Sequence, residues 1–149
     1  NVTRLDLEGV ETAFDWRPAA GWRLQGSATW TRGEELAEGT AAPADRIPPL
    51  YGRAEASWRT SDTLAWHLWT DFAGRQDRLS ARDASDPRIN PDGTPGWSTW
   101  NFGVHWQALP GLALRLEVRN LFDRRYREHG SGLDAPGRGI GVGFTWTGP

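Results

Sequence analysis

The chain has no cysteine, no lysine and no methionine among its 149 residues. Without cysteine there is no disulfide framework and no thiolate metal centre. Without lysine, all seventeen basic residues are arginines, and nineteen acidic residues leave a net charge of −2. No basic stripe emerges, so nucleic acid is set aside as a partner. Long apolar runs are also missing. No stretch approaches the ~18 consecutive apolar residues of a membrane helix, and the mean hydropathy is −0.63. Hydropathy alone would make this a soluble protein. That conclusion does not extend to strands, because a transmembrane strand needs only about 9–11 residues and shows lipid at every second one. Tyrosine is scarce, at two residues, whereas tryptophan reaches ten. Such a load fits membrane-interface girdles or sugar-stacking platforms better than a plain soluble core.

What is present is alternation. Leu112, Leu114, Leu116 and Val118 alternate with Ala113, Arg115, Glu117 and Arg119, which is strand periodicity with one apolar and one charged face. Working from the start, Leu5 and Leu7 share a face. Gly9 is then expected to admit a bulge, after which Val10, Thr12, Phe14 and Trp16 take that face over. Pro18 to Gly21 reads as a tight turn. Trp22, Leu24, Gly26, Ala28 and Trp30 form the cleanest strand, followed by a long polar loop from Gly33 to Ile47. Two further strands, Leu50 to Arg59 and Leu64 to Phe72, flank the short turn Thr60 to Thr63. Arg75 to Gly96 is the longest loop. A fifth strand runs through Trp100, Phe102, Val104 and Trp106, and Leu109-Pro-Gly111 turns the chain into the closing hairpin, whose last strand is Gly139 to Trp146.

The connections therefore run short, long, short, long, short, long. Outer-membrane barrels produce this alternation, with short periplasmic turns and longer extracellular loops. The tryptophans follow it. Trp16, Trp22, Trp58, Trp66, Trp106 and Trp146 sit on the apolar face beside a short turn or at the chain's end, as a membrane-interface girdle would. Trp30, Phe72 and Trp100 lie nearer the long-loop end and suit a second girdle. If Trp146 ends in the periplasm, about seven strands place Asn1 outside. A complete bacterial barrel has an even strand number, so the chain is expected to begin partway round one. No leader-like segment opens the sequence, and an exported protein would start upstream of Asn1.

The segment "EVRNLFDRRYREHGSGLDAPGRGIGVGFTW", residues 117–146, resembles the closing hairpin of a TonB-dependent outer-membrane receptor. In that family an Asn-Leu-Phe-Asp…Tyr element leads to a Pro-Gly-Arg and a final strand. The resemblance implies an all-β fold, an antiparallel meander of about seven transmembrane strands closing a larger barrel of about 22 strands with a plugged lumen. Residues 1–149 would be one partial barrel domain without the plug, located in the cell outer membrane. It further implies a role as wall and extracellular loops of a receptor importing a scarce nutrient such as a ferric siderophore, haem or cobalamin. The implied partners are the outer-membrane bilayer, a small-molecule chelate ligand, the barrel-assembly machinery, and the TonB complex through the plug alone. Family members usually finish on an aromatic residue; here Trp146 is followed by Thr147-Gly148-Pro149.

Residues that suggest chemistry have a structural reading beside them. Glu55, His67, Asp71, His105, Arg115 and Glu117 belong to an ionisable set on the polar face, and opposite charges on neighbouring strands pair across a hydrated lumen without any catalytic role. No Gly-x-Ser-x-Gly, Walker loop or metal-spaced histidine cluster occurs, so the expectation is no enzyme, no cofactor and no metal. His129 lies in the loop Arg127 to Gly137 and is a candidate ligand contact. Arg75, Arg78, Arg82 and Arg88 are the strongest candidates, as guanidiniums able to meet an anionic chelate; the alternative is that Asp77, Asp83 and Asp86 neutralise them locally. A different class of reading is a secreted all-β carbohydrate-binding module. That fold would gather a few tryptophans on one exposed surface and bury the rest, whereas a barrel spreads them in rings.

Overall fold

The computed structural model describes residues 4–37 and 39–148. Eight strands form one antiparallel sheet: β1 (Arg4–Trp16), β2 (Trp22–Ala37), β3 (Thr40–Pro43), β4 (Tyr51–Arg59), β5 (Leu64–Ala73), β6 (Trp97–Leu109), β7 (Leu112–Arg119) and β8 (Gly139–Trp146). The order across the sheet is β1-β2-β4-β5-β6-β7-β8, with β3 paired only to the far end of β2. Seven strands thus make a continuous wall, and β3 belongs to a loop. Each wall strand pairs with its chain neighbour, the arrangement that short hairpin turns permit.

Register carries the alternation from strand to strand. Trp22 faces Trp58, Trp58 faces Trp66, Trp66 faces Val104, Val104 faces Leu116 and Leu116 faces Val142. All six share one face of the sheet, because side chains directly opposite one another point the same way. The other face carries Gln25, Glu55, Trp69 and Asn101 in one row. Trp22 and Trp58 stack with centroids 5.3 Å apart and planes 8° from parallel, and Trp66 packs on Phe102 at 5.9 Å. On the same apolar face, the Phe14 ring covers the bare backbone of Gly26 and the Phe72 ring covers Gly52. Each aromatic thereby fills the space its cross-strand glycine leaves. The turn at Gly21 needs its positive φ of 78°, and a side chain there would run into the Arg59 carbonyl.

Three expectations are corrected. There is no bulge at Gly9. β1 and β2 stay in unbroken register from Arg4↔Leu36 to Trp16↔Leu24, and the irregularity lies instead between Gln107 and Leu109. Leu5 and Leu7 therefore keep the phase of Glu11 and point to the polar face. Leu7, Ile47 and Ala44 all border the space above Gly33, yet Leu5 and Leu7 stay more than half exposed. Second, Gly33 is not the start of a polar loop. β2 continues to Ala37 and folds back as β3 in a hairpin that projects beyond the wall. Third, the longest loop contains a short helix, α1 (Ala81–Ser85), whose first turn is capped by the Ser80 side chain accepting from the Asp83 N–H. The expectations for Asn1 and Pro149 fall outside the described residues.

Burial is concentrated in the loops. In the wall, β1 and β8 are exposed throughout, and the polar face of β5 and β6 buries Trp69, Thr99 and Asn101. In the loops, Ala44, Ile89, Gln76, Ser80 and Asp83 are all buried. Among the described residues, a Cβ added at the polar-side positions of β8, Gly139, Gly141 and Gly143, would meet nothing within 4 Å.

Candidate functional site

The three long connections, β2 to β4, β5 to β6 and β7 to β8, emerge at the same end and close on one another over the polar face. The Arg46 N–H donates to Asp83 Oδ2 at 3.3 Å, and its guanidinium donates to Asp86 Oδ2 at 2.8 Å and lies 3.7 Å from Asp83 Oδ1. This joins the first long loop to the helix of the second. Gln76 Nε2 donates to the Ile47 carbonyl at 2.7 Å. His129 Nδ1 lies 2.8 Å from Thr94 Oγ1, tying the third loop to the second. Beneath the cluster lies a cleft of about 560 Å³ lined by Arg46, Tyr51, Asp71, Trp97, Tyr126 and His129, among others. The Trp97 and Tyr126 rings pack at 4.1 Å.

The predicted arginines are all in this region, each with a partner. Arg75 is 3.4 Å from Asp77 and donates to the Asp92 carbonyl. Arg78 donates to Glu34 Oε1 at 2.9 Å and Arg82 to Asp45 Oδ2 at 2.9 Å, and Arg88 binds Asp86 in two-pronged fashion at 2.9 and 2.6 Å. Local neutralisation thus holds for Arg75 and Arg88. Arg78 reaches across to the end of β2 and Arg82 to the first loop, so the arginines do not converge on one vacant point. Hydrogen bonds from Arg32 and Arg78 hold the Glu34 carboxyl below the usual carboxylate range. Asp86 is held well below it by Arg88, and Asp45 is lowered by the Ser80 hydroxyl and by Arg82. Burial pushes the His129 imidazole down and the Tyr126 phenol up. His129 Nε2 and Asp83 Oδ1 are buried without a hydrogen-bond partner.

Sequence reasoning missed Arg46, the cation that joins two loops, and the inward role of Asp83. The Ser80-Ala-Arg-Asp83 spacing is a helix-start pattern, and it was the available signal for Asp83. Nothing comparable marks Arg46, whose partners lie 37 and 40 residues away.

Below the loops the polar face holds a groove of about 680 Å³. Arg53 sits 5.2 Å over the Trp69 ring, 3.6 Å from Asp71 and 4.0 Å from Glu55. Glu55 is in turn 3.1 Å from His67 Nδ1. Asn101 Nδ2 donates to Asp71 at 3.2 Å, and its Oδ1 accepts from the Asn120 N–H at 2.8 Å. His67 and His105 both border this groove, on adjacent strands. Among the described residues, no three His, Cys, Asp or Glu side chains are placed to hold a metal ion. The six tryptophans of the expected girdle all lie at the short-turn end, spread across the wall; Trp16, Trp22, Trp58, Trp106 and Trp146 are exposed. Trp22, Trp58 and Trp66 are neighbours across β2, β4 and β5, and Trp16, Trp106 and Trp146 stand on other strands.

A neighbour-paired antiparallel wall, apolar on one face and ionic on the other, with every long loop at one end, defines a segment of a large β-barrel. A family model described as TonB dependent receptor-like, beta-barrel, matches residues 1–121. The chain belongs to that family. It is 28% identical over 137 residues to the pesticin receptor of Yersinia enterocolitica, covering 87% of this chain and 19% of that protein. It is 25% identical over 114 residues to the ferric enterobactin receptor PirA of Pseudomonas aeruginosa, covering 71% and 15%. Among solved structures, the copper transporter OprC superposes with a TM-score of 0.79 at 16% identity, covering 95% of this chain and 23% of that one. The ferric yersiniabactin uptake receptor FyuA from Yersinia pestis superposes at 0.64 and 21%, covering 96% and 22%. The chain therefore spans about a fifth of the length of these proteins, and the solved structures bear on its fold alone.

Proposed function

We propose that this chain forms wall and outer loops of an outer-membrane receptor that imports a scarce nutrient, with a metal chelate such as a ferric siderophore as the ligand class. The observation that carries the reading is the closure of all three long loops over the polar face of an otherwise open wall. It is the place where a barrel of this kind would capture a molecule from outside. The relatives named for pesticin and ferric enterobactin support the reading. Insertion would rest on the barrel-assembly machinery, and energy would arrive from the TonB complex through a plug domain. The tryptophans Trp16, Trp22, Trp58, Trp66, Trp106 and Trp146 would form the periplasm-side girdle, with Trp30, Phe72 and Trp100 opposite.

Arg75, Arg78, Arg82 and His129 are the ligand contacts this reading assigns. The ion pairs of the three arginines are exposed on at least one side, and such pairs are worth only about 0–1 kcal/mol, so an arginine can exchange its carboxylate for a ligand oxygen. Two substitutions separate capture from mere loop closure. Glu34→Gln removes the negative charge shared by Arg32 and Arg78 and eases the Arg78 guanidinium towards the ligand, whereas Arg78→Gln removes the guanidinium itself. Ligand capture requires binding to cells to survive Glu34→Gln and to weaken in Arg78→Gln, at equal surface levels and unchanged heat-modifiable gel mobility. Equal losses in both variants would make Arg78 a loop brace and defeat the assignment.

A further inference from the structure

One row of the polar face ends in a slot. Tyr51 of β4 stands opposite Ala73 of β5, and Ala73 stands opposite Trp97 of β6. Two aromatic side chains thus flank an alanine at the loop end of the wall. Neighbouring strands lie about 4.8 Å apart, which sets Tyr51 and Trp97 roughly 10 Å from one another across Ala73. All three line the cleft of about 560 Å³ beneath the closed loops. Tyr126, from the third long loop, backs the Trp97 ring at 4.1 Å, and Pro48 and Pro49 supply a further apolar side.

The charge around this slot is negative. Arg46 lines the cleft as a cation, and Asp71 and Glu128 line it as anions. Arg46 is already held by Asp83 and Asp86, at 3.7 and 2.8 Å, and Asp86 also holds Arg88 at 2.6 Å. Those two cations and two carboxylates cancel. Asp71 shares Arg53 with Glu55, at 3.6 and 4.0 Å, so one negative charge of that trio is left over. Among the described residues, Glu128 has no cation within 4.0 Å. Burial raises the Tyr126 phenol, and Glu128 and Asp71 raise it further, so both carboxylates bear on the ring that backs Trp97. Burial pushes the His129 imidazole down, so His129 adds no positive charge to the cleft at neutral pH.

We infer that the cleft binds an organic ammonium group, seated between the Tyr51 and Trp97 rings and faced by Asp71 and Glu128. A cation is attracted to an aromatic face within about 6 Å of the ring centroid. A group midway between two side chains roughly 10 Å apart meets that limit at both rings. An anion would meet the two carboxylates instead, and an uncharged apolar group would desolvate them without return. The preference is opposite in sign to that assigned to Arg75, Arg78 and Arg82. A ligand bearing anionic oxygens and an ammonium arm would meet both. Binding depends on the cleft alone, so it stands or falls apart from chelate import.

The test titrates the native receptor, in polyoxyethylene detergent, with choline and with dimethylbutanol, its neutral carbon isostere. Binding is read by saturation-transfer NMR. Choline is expected to bind about tenfold more tightly than dimethylbutanol. Trp97→Leu removes one ring face and should weaken choline about tenfold. Glu128→Gln should weaken it about threefold to fivefold and leave dimethylbutanol unchanged. Asp62→Asn, in the short turn between β4 and β5, should leave both unchanged. Glu128 is exposed, so its variant still decides the matter where heat-modifiable gel mobility shows that Trp97→Leu has not assembled. Equal affinities for choline and dimethylbutanol overturn the inference, as does an equal weakening in Asp62→Asn. Displacement of choline by glucose would reassign the slot to a sugar ring and overturn the ammonium assignment. Displacement by sodium chloride at the same concentration would reduce it to charge screening and overturn it as well. A receptor that binds choline in this pattern but imports no chelate keeps the cleft and loses the import reading.

Discussion

Asn120 shows how much a single side chain can hold. It is buried, it occupies a left-handed conformation that asparagine tolerates better than most residues, and its amide makes three hydrogen bonds to the loop that follows. Asn120→Ala loses all three and adds backbone strain. It is expected to cost about 1–3 kcal/mol, the penalty of stranded buried polar groups. Asn120→Gly keeps the backbone and still loses the bonds, so it should recover only part of the loss. Reversible unfolding in lipid vesicles measures both. The sequence made Asn120 conspicuous through the Asn-Leu-Phe-Asp pattern but did not say what it held.

His129 gives a prediction in pH at the same scale. Burial lowers its pKa beneath the usual imidazole value of 6.5, so the unfolded loop binds the proton more readily than the folded one. The stability associated with neutral His129 is fully present above pH 6.5 and is lost as the pH falls through the lower, folded value. Arg46 opposes protonation, Asp83 and Asp86 favour it, and burial outweighs them. Acidification should therefore loosen the third loop from the second, where His129 meets Thr94. Limited proteolysis of the loop should quicken below neutrality in the native protein, and His129→Gln should flatten that dependence. Proteolysis that is equally pH-dependent in the variant would remove His129 as the cause.

Among the elements, the strands were legible and the loops were not, for the same physical reason. A strand shows its two environments at every second residue, so Trp22 to Trp30 or Leu112 to Val118 could be read without any partner in view. β1 misled at Leu5 and Leu7 because two leucines on the polar face, both more than half exposed, mimic a change of phase. The loop contacts join residues 29 to 44 positions apart, and no local pattern encodes such pairings. The wall assignment itself predicts an asymmetry. Leu116 lies on the apolar face between Val104 and Val142, and Leu116→Arg should cost roughly 2–4 kcal/mol in a bilayer. Ser27 lies on the polar face opposite Arg53, and Ser27→Arg should cost far less. Equal costs by unfolding in lipid would mean that the two faces have been exchanged.

For the molecule as a whole, the open sheet decides behaviour in solution. Among the described residues, β1 and β8 each pair on one side only, and Phe14, Val142 and Phe144 are more than half exposed. Unpaired edges beside an apolar face drive strand addition between chains. Expressed by itself without detergent, this chain should collect in inclusion bodies. A monodisperse monomer melting cooperatively in plain buffer would contradict the wall assignment.

The bare stripe of Gly139, Gly141 and Gly143 allows a different kind of measurement. Among the described residues, nothing stands within 4 Å of a Cβ added there, none of the three has a positive φ, and alanine suits a strand at least as well as glycine does. Within this chain, replacement by alanine is therefore neutral or mildly favourable. In a saturation-mutagenesis screen of growth on the nutrient proposed above, these codons should tolerate alanine and serine freely if nothing else approaches them. A sharp fitness loss at Gly141, with Val142→Ile tolerated beside it, would be the footprint of another segment sliding against β8. The glycines would then work as a proximity sensor whose signal is read in the survival of cells.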